Sequence, residues 1–229
     1  AYSFNGGGFF IPDASNTPIG IDVFFPILHG PFGEDGTIQG LFRIMDVPFV
    51  GCDVLGSAVA MDKQVMKRLL AEAGLPMGKY LTAFRDEIPT FEQVEKELGL
   101  PFYVKPANMG SSIGVKKAKT RAEIVSALTN AFEFDEWALI EEAVTGREIE
   151  VAVLGNENPR ASVPGEIVPS HEFYDYEDKY IGDGAQLLVP APLSESEVAE
   201  VQQLALKIYR TLRSDGMARV DFFYEKGGR

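Results

Sequence analysis

Apolar positions along the chain alternate between two periods. Residues 21–27 (IDVFFPI) are a nearly continuous apolar run that reaches Pro26 and enters a Gly-rich stretch, HGPFGEDGTIQG. Such a run reads as a buried parallel strand, and ligand loops sit at the carboxyl ends of such strands. The pattern then changes. Val65, Met66, Leu69, Leu70 and Ala73 recur at one-and-four spacing, which predicts a helix over 57–73 that Gly74 stops. Three further helices announce their starts with a Ser or Thr followed three residues later by Glu or Gln. Thr90 with Gln93 precedes Val94 and Leu98, and Thr120 with Glu123 precedes Ile124, Leu128 and Ala131. Ser194 with Glu197 precedes Val198, Val201, Ala205, Ile208 and Leu212.

Between these helices lie strand candidates at 102–105, 138–142, 148–154 and 217–224. In 148–154, Ile149, Val151 and Val153 alternate with Glu148 and Glu150, a half-buried antiparallel pattern with both carboxylates on one face. Mixed strands and helices of this kind predict an α/β or α+β fold, with boundaries near Cys52 and Gly146. Three parts follow: 1–52, 53–144 and 145–229. Residues 170–186 are polar, aromatic and rich in Asp, Glu and Gly, the composition of a lid or binding loop.

Composition narrows the function classes. A chain of 229 residues that is 45% hydrophobic buries a sizeable core. It contains no run of about 18 apolar residues, so no membrane span is expected. The opening AYSFNGGGFF lacks the basic and apolar regions of a signal peptide. Cys52 is the only cysteine, which excludes a disulfide framework and fits a reducing cytoplasm. Lys and Arg number 21 against 34 Asp and Glu, and a net charge of −13 opposes general binding to nucleic acid. Local lysines and backbone N–H groups can still hold a phosphate.

The chemistry concentrates in a few segments. YVKPANMGSSIGV carries Lys105 to the end of a strand, turns at Pro106, and continues through Gly110, Ser111, Ser112 and Gly114. A P-loop places its lysine after the glycines and opens a helix. Here the lysine precedes the loop and 113–115 returns to strand character, so the segment reads as a hairpin able to cover a polyphosphate. A solvent-facing strand-end lysine is the plainer alternative. In MARVDFFY, Arg219 and Asp221 share one face of a strand. They serve either a structural ion pair or a clamp on a phosphoryl oxygen and a magnesium ion. LIEEAVTGREIEV carries Glu141, Glu142, Glu148 and Glu150, which are either a solvated acidic face or acceptors for ribose hydroxyls and an adenine amino group.

KPANMGSSIGV, HGPFGEDGTIQG, AMDK (60–63), GREIEV, FYDYEDKY and MARVD occur in this order. Together they closely resemble the D-alanine–D-alanine ligases, ATP-grasp enzymes of peptidoglycan precursor synthesis. The resemblance covers nearly the whole chain from Ile21 onward. It implies an ATP-grasp fold with the remnant of an N-terminal parallel-sheet domain. It also implies ATP and Mg2+ (or Mn2+) as cofactors, two molecules of D-alanine as substrates, and a homodimer in the intact protein. By motif match, Lys63 and Lys105 contact ATP phosphates, with Ser112 beside them, and Lys179 approaches the γ-phosphate. Glu141, Glu142 and Val144 hold adenine, and Glu148 the ribose. Ser111 orders the active site with Tyr180. Arg219 steadies the developing oxyanion and Asp221 binds the metal. His29 and Glu34 lie on the substrate side, although a histidine there also serves simply to buttress its loop. Tyrosine at 180 goes, in the resembling family, with D-alanine as second substrate.

Two departures set a further expectation. The family's N-terminal strand and substrate-binding glutamate have no counterpart here, and Gly6–Gly8 stand in a different context. The final YEKGGR reads as a hairpin turn whose second strand, in the family, carries a glutamate and an asparagine that bind magnesium. The expectation is a partial chain that alone turns over little or nothing. The alternatives are another ATP-grasp carboxylate–amine ligase, or a nucleotide-binding unit without turnover.

Overall fold

The computed structural model describes residues 3–4, 9–12, 18–169 and 185–225. It is a mixed α/β architecture built on antiparallel sheets. Three short strands, β1 (Ser3–Phe4), β2 (Phe9–Pro12) and β3 (Pro18–Ile21), pair antiparallel. The buried strand expected at 21–27 does not form. Ile21 closes β3 and, beyond it, Phe24 pairs in a parallel bridge to Phe49, while Val23, Phe25 and Ile27 are 54%, 57% and 65% exposed. An apolar run becomes a strand only where a partner backbone runs beside it. Here that partner is limited to 48–50, through Phe24 N–H to Pro48 O and Val50 N–H to Phe24 O, each 2.9 Å. Phe24 is held from α1 (Thr37–Ile44), where the Phe42 ring stacks on it at 4.7 Å.

The single helix expected over 57–73 is two: α2 (Val54–Met61) and α3 (Lys63–Glu72). Asp62 divides them. Its backbone is extended, with ψ 99°, and its Oδ1 accepts from the N–H groups of Gln64 and Val65, both at 3.0 Å. A carboxylate is a strong N-cap and restarts the helix, a break that apolar spacing does not register. Gly74 ends α3 with φ 65°, as expected.

The first large sheet has the order β4-β7-β5-β6, all antiparallel, from β4 (Tyr80–Phe84), β5 (Phe102–Pro106), β6 (Lys116–Ala118) and β7 (Trp137–Glu142). Phe102, Val104, Ala138 and Ile140 point to one face and pack against Val94 of α4 (Phe91–Leu98) and Ile124 of α5 (Arg121–Ala131). Thr90 caps α4, and a full capping box at Thr120 and Glu123 starts α5. The other face meets α3.

The second sheet has the order β11-β10-β8-β12, with β9 (Arg160–Ala161) on β8. It comprises β8 (Arg147–Leu154), β10 (Gly165–Pro169), β11 (Ala185–Leu188) and β12 (Met217–Tyr224). The predicted alternation holds, since Ile149, Val151 and Val153 are fully buried. Helix α6 (Glu195–Thr211), started by the capping box at Ser194 and Glu197, covers that face with Val201, Ala205 and Tyr209. Glu148, Glu150, Arg219 and Asp221 occupy the opposite face, where β8 and β12 pair Glu150 with Asp221.

Candidate active site

The hairpin expected after Lys105 is present. Phe102, Tyr103 and Val104 pair with Ala118, Lys117 and Lys116, so the returning strand lies a little later than 113–115. The turn between is tight. Ser111 and Ser112 adopt φ 52° and 59°, a left-handed pair that L-residues rarely take and that costs on the order of 1–3 kcal/mol each. Gly114, at φ 75°, has no room for a side chain, because a Cβ there would lie 2.7 Å from Pro106 Cγ. The loop is moored from both sides. Asp135 Oδ2 accepts from Asn108 N–H at 2.7 Å, and Lys63 Nζ donates to the carbonyls of Ala107 (3.3 Å) and Met109. Its tip meets the other Gly-rich loop. A Cβ on Gly110 would sit 3.0 Å from Gly30 Cα and 3.8 Å from Glu34 Oε2. Glu34 itself accepts from Gly30 N–H.

Below the hairpin lies a buried charge cluster. Register places Tyr103 and Tyr80 on either side of Glu141, and Lys105 beside Leu139. Glu141 Oε2 pairs with Lys105 Nζ, and Lys67 Nζ of α3 stands 3.1 Å from Oε1. The side chains of Glu141, Lys67 and Lys105 keep only 16%, 11% and 22% exposure. Burial pushes the Glu141 carboxyl up, and the two ammonium groups outweigh it and hold it below its usual range. Lys63, buried and near the Lys105 charge, is pulled down to about 8. Glu141 Oε1 is fully buried and faces the Lys67 ammonium, with no aligned hydrogen bond among the described residues.

The β12 strand supplies the third wall. Arg219 grips Asp221 with two hydrogen bonds (Nε–Oδ1 2.8 Å, Nη2–Oδ2 2.9 Å), and its Nε is 3.2 Å from Glu150 Oε1. These carboxylates raise the Arg219 pKa, and Glu34 adds to the same field.

The sequence-predicted residues therefore divide. Lys105 and Glu141 pair on one face of the first sheet, with Lys63 close by holding the loop that carries Ser111 and Ser112. Arg219, Asp221 and Glu148 lie on the open face of the second. Glu142 turns away, and its Oε1 accepts from Lys79 N–H at 2.8 Å, fastening the strand end to the connection before β4. Val144 packs toward Gly78, 3.3 Å from where a Cβ would be. His29 is exposed beside Gly30. Lys179 and Tyr180 lie outside the described residues. Lys67 and Asp135 were not singled out by sequence. Lys67 carries a signal in retrospect, since it lies four residues after Lys63 on the same helix face.

The set fits a nucleotide triphosphate, with the Lys63 and Lys105 ammonium groups and a turn for the phosphates and the Glu141 carboxylate for a base amino group. Among the described residues, no three His, Cys, Asp or Glu side chains are placed to cage a metal. A magnesium ion carried by phosphates needs only one or two protein carboxylates. Asp221, with Glu150 opposite, meets that requirement.

A family model described as D-ala D-ala ligase C-terminus matches residues 69–229, and one described as D-ala D-ala ligase N-terminus matches 6–52. A D-alanine–D-alanine ligase of Heliobacterium modesticaldum is 48% identical over 95% of the chain and 64% of its own length. One of Oceanobacillus iheyensis is 52% identical over 89% of the chain and 56% of its own length. The chain thus spans less than two thirds of these curated relatives. Among solved structures, a D-alanine-D-alanine ligase from Coxiella burnetii superposes with TM-score 0.81 at 34% identity, covering 93% of the chain and 57% of that protein. The VanG D-Ala:D-Ser ligase from Enterococcus faecalis gives 0.85 at 35% identity, covering 100% and 67%. With both halves of the family matched in order and the fold shared with its solved members, the chain belongs to the D-alanine–D-alanine ligase family.

Proposed function

We propose that the protein is an ATP-dependent ligase that joins two D-alanines into D-alanyl-D-alanine for peptidoglycan synthesis. The observation that carries this reading is the pairing of Lys67 and Lys105 with the buried Glu141 carboxylate, beside a Gly-Ser loop whose carbonyls accept from Lys63 Nζ. That arrangement suits a polyanion carrying a base. In the proposed reaction a carboxylate oxygen of the first D-alanine attacks the γ-phosphorus and ADP leaves. The amine of the second then attacks the acyl carbon of the acylphosphate, loses a proton, and inorganic phosphate departs. A carboxylate is a poor electrophile, so the protein's task is positioning and charge stabilisation.

Lys63, Lys105 and the turn at Ser111 and Ser112 serve the phosphates. Glu141 accepts from the base amino group, the backbone at Glu142 and Val144 borders the base, and Glu148 takes the ribose. Arg219 offsets charge that develops on the transferred group. Mg2+ or Mn2+ would rest on Asp221 and the phosphates, where it supplies further charge neutralisation. Ser111 orders the network together with Tyr180, and Lys179 reaches the γ-phosphate from the same loop. His29 and Glu34 border the amino-acid side. In this reading 53–144 and 145–229 are the two halves around the nucleotide and 1–52 is the substrate side. The whole protein is a cytoplasmic homodimer. The described residues include no helix long and apolar enough to cross a membrane.

Calorimetric titration with a non-hydrolysable ATP analogue tests the nucleotide half. Lys105→Ala is expected to weaken binding by about 1.5–3 kcal/mol, the worth of a charge-assisted contact; unchanged affinity sinks the role of Lys105. Phosphate release with D-alanine, D-serine or D-lactate tests the substrate. The strongest response is expected with D-alanine, and a stronger one with either competitor assigns a different ligase. Asp221, already gripped by Arg219, favours one other reading, nucleotide binding without turnover, which analogue binding with no phosphate release would support.

A further inference from the structure

Lys67 has no place in the proposed phosphate contacts, yet it is 8% exposed on the buried face of α3. Its neighbours are specific: Glu141 Oε1 at 3.1 Å and the Tyr80 ring, whose centroid is 5.0 Å away. Lys105, on the other oxygen of the same carboxylate, is the more exposed of the two lysines. The two ammonium groups thus share one buried anion, one from within and one from the open side.

We propose that Lys67 is a charge-holding residue that frees Lys105 for the nucleotide. Without a ligand, Lys105 rests on Glu141. To meet a phosphate its ammonium must swing away, and a buried carboxylate left without a cation is strongly disfavoured. Lys67 remains with Glu141 and removes that penalty. The arrangement makes Lys105 a mobile partner and Lys67 a fixed one, and Lys67 acts without touching the ligand. The inference rests on the nucleotide reading above and adds a residue to it.

A charge-holding Lys67 couples energetically to Glu141 in a way that mere packing does not. Lys67→Met keeps the length of the side chain and removes its charge. In the wild-type background it weakens binding of a non-hydrolysable ATP analogue about tenfold, because Lys105 is then retained by Glu141. In a Glu141→Gln background, where no anion needs holding, the same substitution changes affinity less than about twofold. A pH series adds a second readout. The titratable groups around Glu141 are Lys63 and Lys67 from α3, Tyr103 and Lys105 from β5, and Tyr80 from β4. With Lys67 gone, Glu141 neutralises itself by taking up a proton on binding, so the Lys67→Met deficit shrinks as pH falls from 8 to 6.

Equal losses in both backgrounds make Lys67 a ligand contact or a packing residue and overturn the proposal. So does no loss in the wild-type background. Circular dichroism of each variant checks the fold, and a Lys67→Met protein that unfolds is replaced by Lys67→Gln under the same criteria. Inorganic tripolyphosphate serves as a second probe. If the wild type binds tripolyphosphate but not the nucleotide, the nucleotide reading fails and the same comparison decides the role of Lys67. If it binds neither, both fall.

Discussion

Lys63 shows how a single side chain reports on the whole site. Its ammonium donates to two loop carbonyls, while burial and a nearby second lysine bring its pKa down to about 8. A bound polyphosphate adds negative charge and raises that pKa. Binding therefore favours the protonated form, so protons are taken up when pH lies between the free and bound values. Affinity is fully present below about 8 and falls as pH rises above it. Calorimetry at pH near 8.5 in two buffers of different ionisation enthalpy should show this uptake, and Lys63→Arg should remove it, because guanidinium stays charged. Lysines 63 and 105 were legible from motif and strand-end position. Glu142 was placed with Glu141 on the adenine side by motif match, and since the period of a strand sends the two side chains to opposite faces, only the backbone of Glu142 can share that role. Lys67 was not singled out, because its helix was read by its apolar residues.

That helix carries the lesson at the scale of elements. Counting apolar positions selects Val65, Met66, Leu69, Leu70 and Ala73 for the inner face of the helix, and the structure buries Leu70 together with Gln64 and Lys67. Val65 and Leu69 are 37% and 38% exposed. Periodicity equates inner with apolar, and the wall of a cleft for a charged ligand breaks that equation. Where a helix only packs, as α5 and α6 do, the capping signals and apolar spacing located it within a residue or two. The Asp62 cap now explains how α3 begins where it must to deliver Lys63. Asp62→Ala should cost about 1 kcal/mol of stability through the lost cap. It should also weaken nucleotide binding, since the first turn of α3 holds Lys63 against the Gly-Ser loop. Denaturant unfolding and titration of one protein sample check both effects. Unaltered binding beside lowered stability would separate the cap from the site.

Across the whole molecule, positioning of the two sheets runs through a few anchors. Asp53 N–H donates to Asp215 at 2.7 Å, joining the start of α2 to the turn before β12. Tyr209 of α6, 1% exposed, donates its hydroxyl to Gly155 O at 2.8 Å, and Gly155 N–H in turn donates to Gly216 O at 2.8 Å. This chain of contacts fixes where β12 begins, and so where Arg219 and Asp221 face. Tyr209→Phe should lower stability by about 1 kcal/mol, or roughly 2–4 °C in melting temperature for a protein this size. Scanning calorimetry reads that shift. Net charge works in the opposite sense from the site. The chain carries −13 overall, yet three buried or half-buried ammonium groups gathered on one sheet face create a local field that favours a polyanion. Fold class and strands β5, β7, β8 and β12 could be read from alternation and caps, whereas β4, β6, β10 and β11 carried no such signal. The contact between the loops at Gly30 and Gly110 could not, because residues 80 positions apart meet only through the tertiary fold.

In the proposed reading, nucleotide enters between α3, the Gly-Ser hairpin and β7. Amide hydrogen exchange of the 229-residue chain is to be compared with and without a saturating non-hydrolysable ATP analogue. Exchange is expected to slow in the first turn of α3, through 105–114, and at 141–144, with α4 and the outer face of α6 unchanged. Protection confined to other segments, or none at a concentration where the analogue is bound, would contradict it.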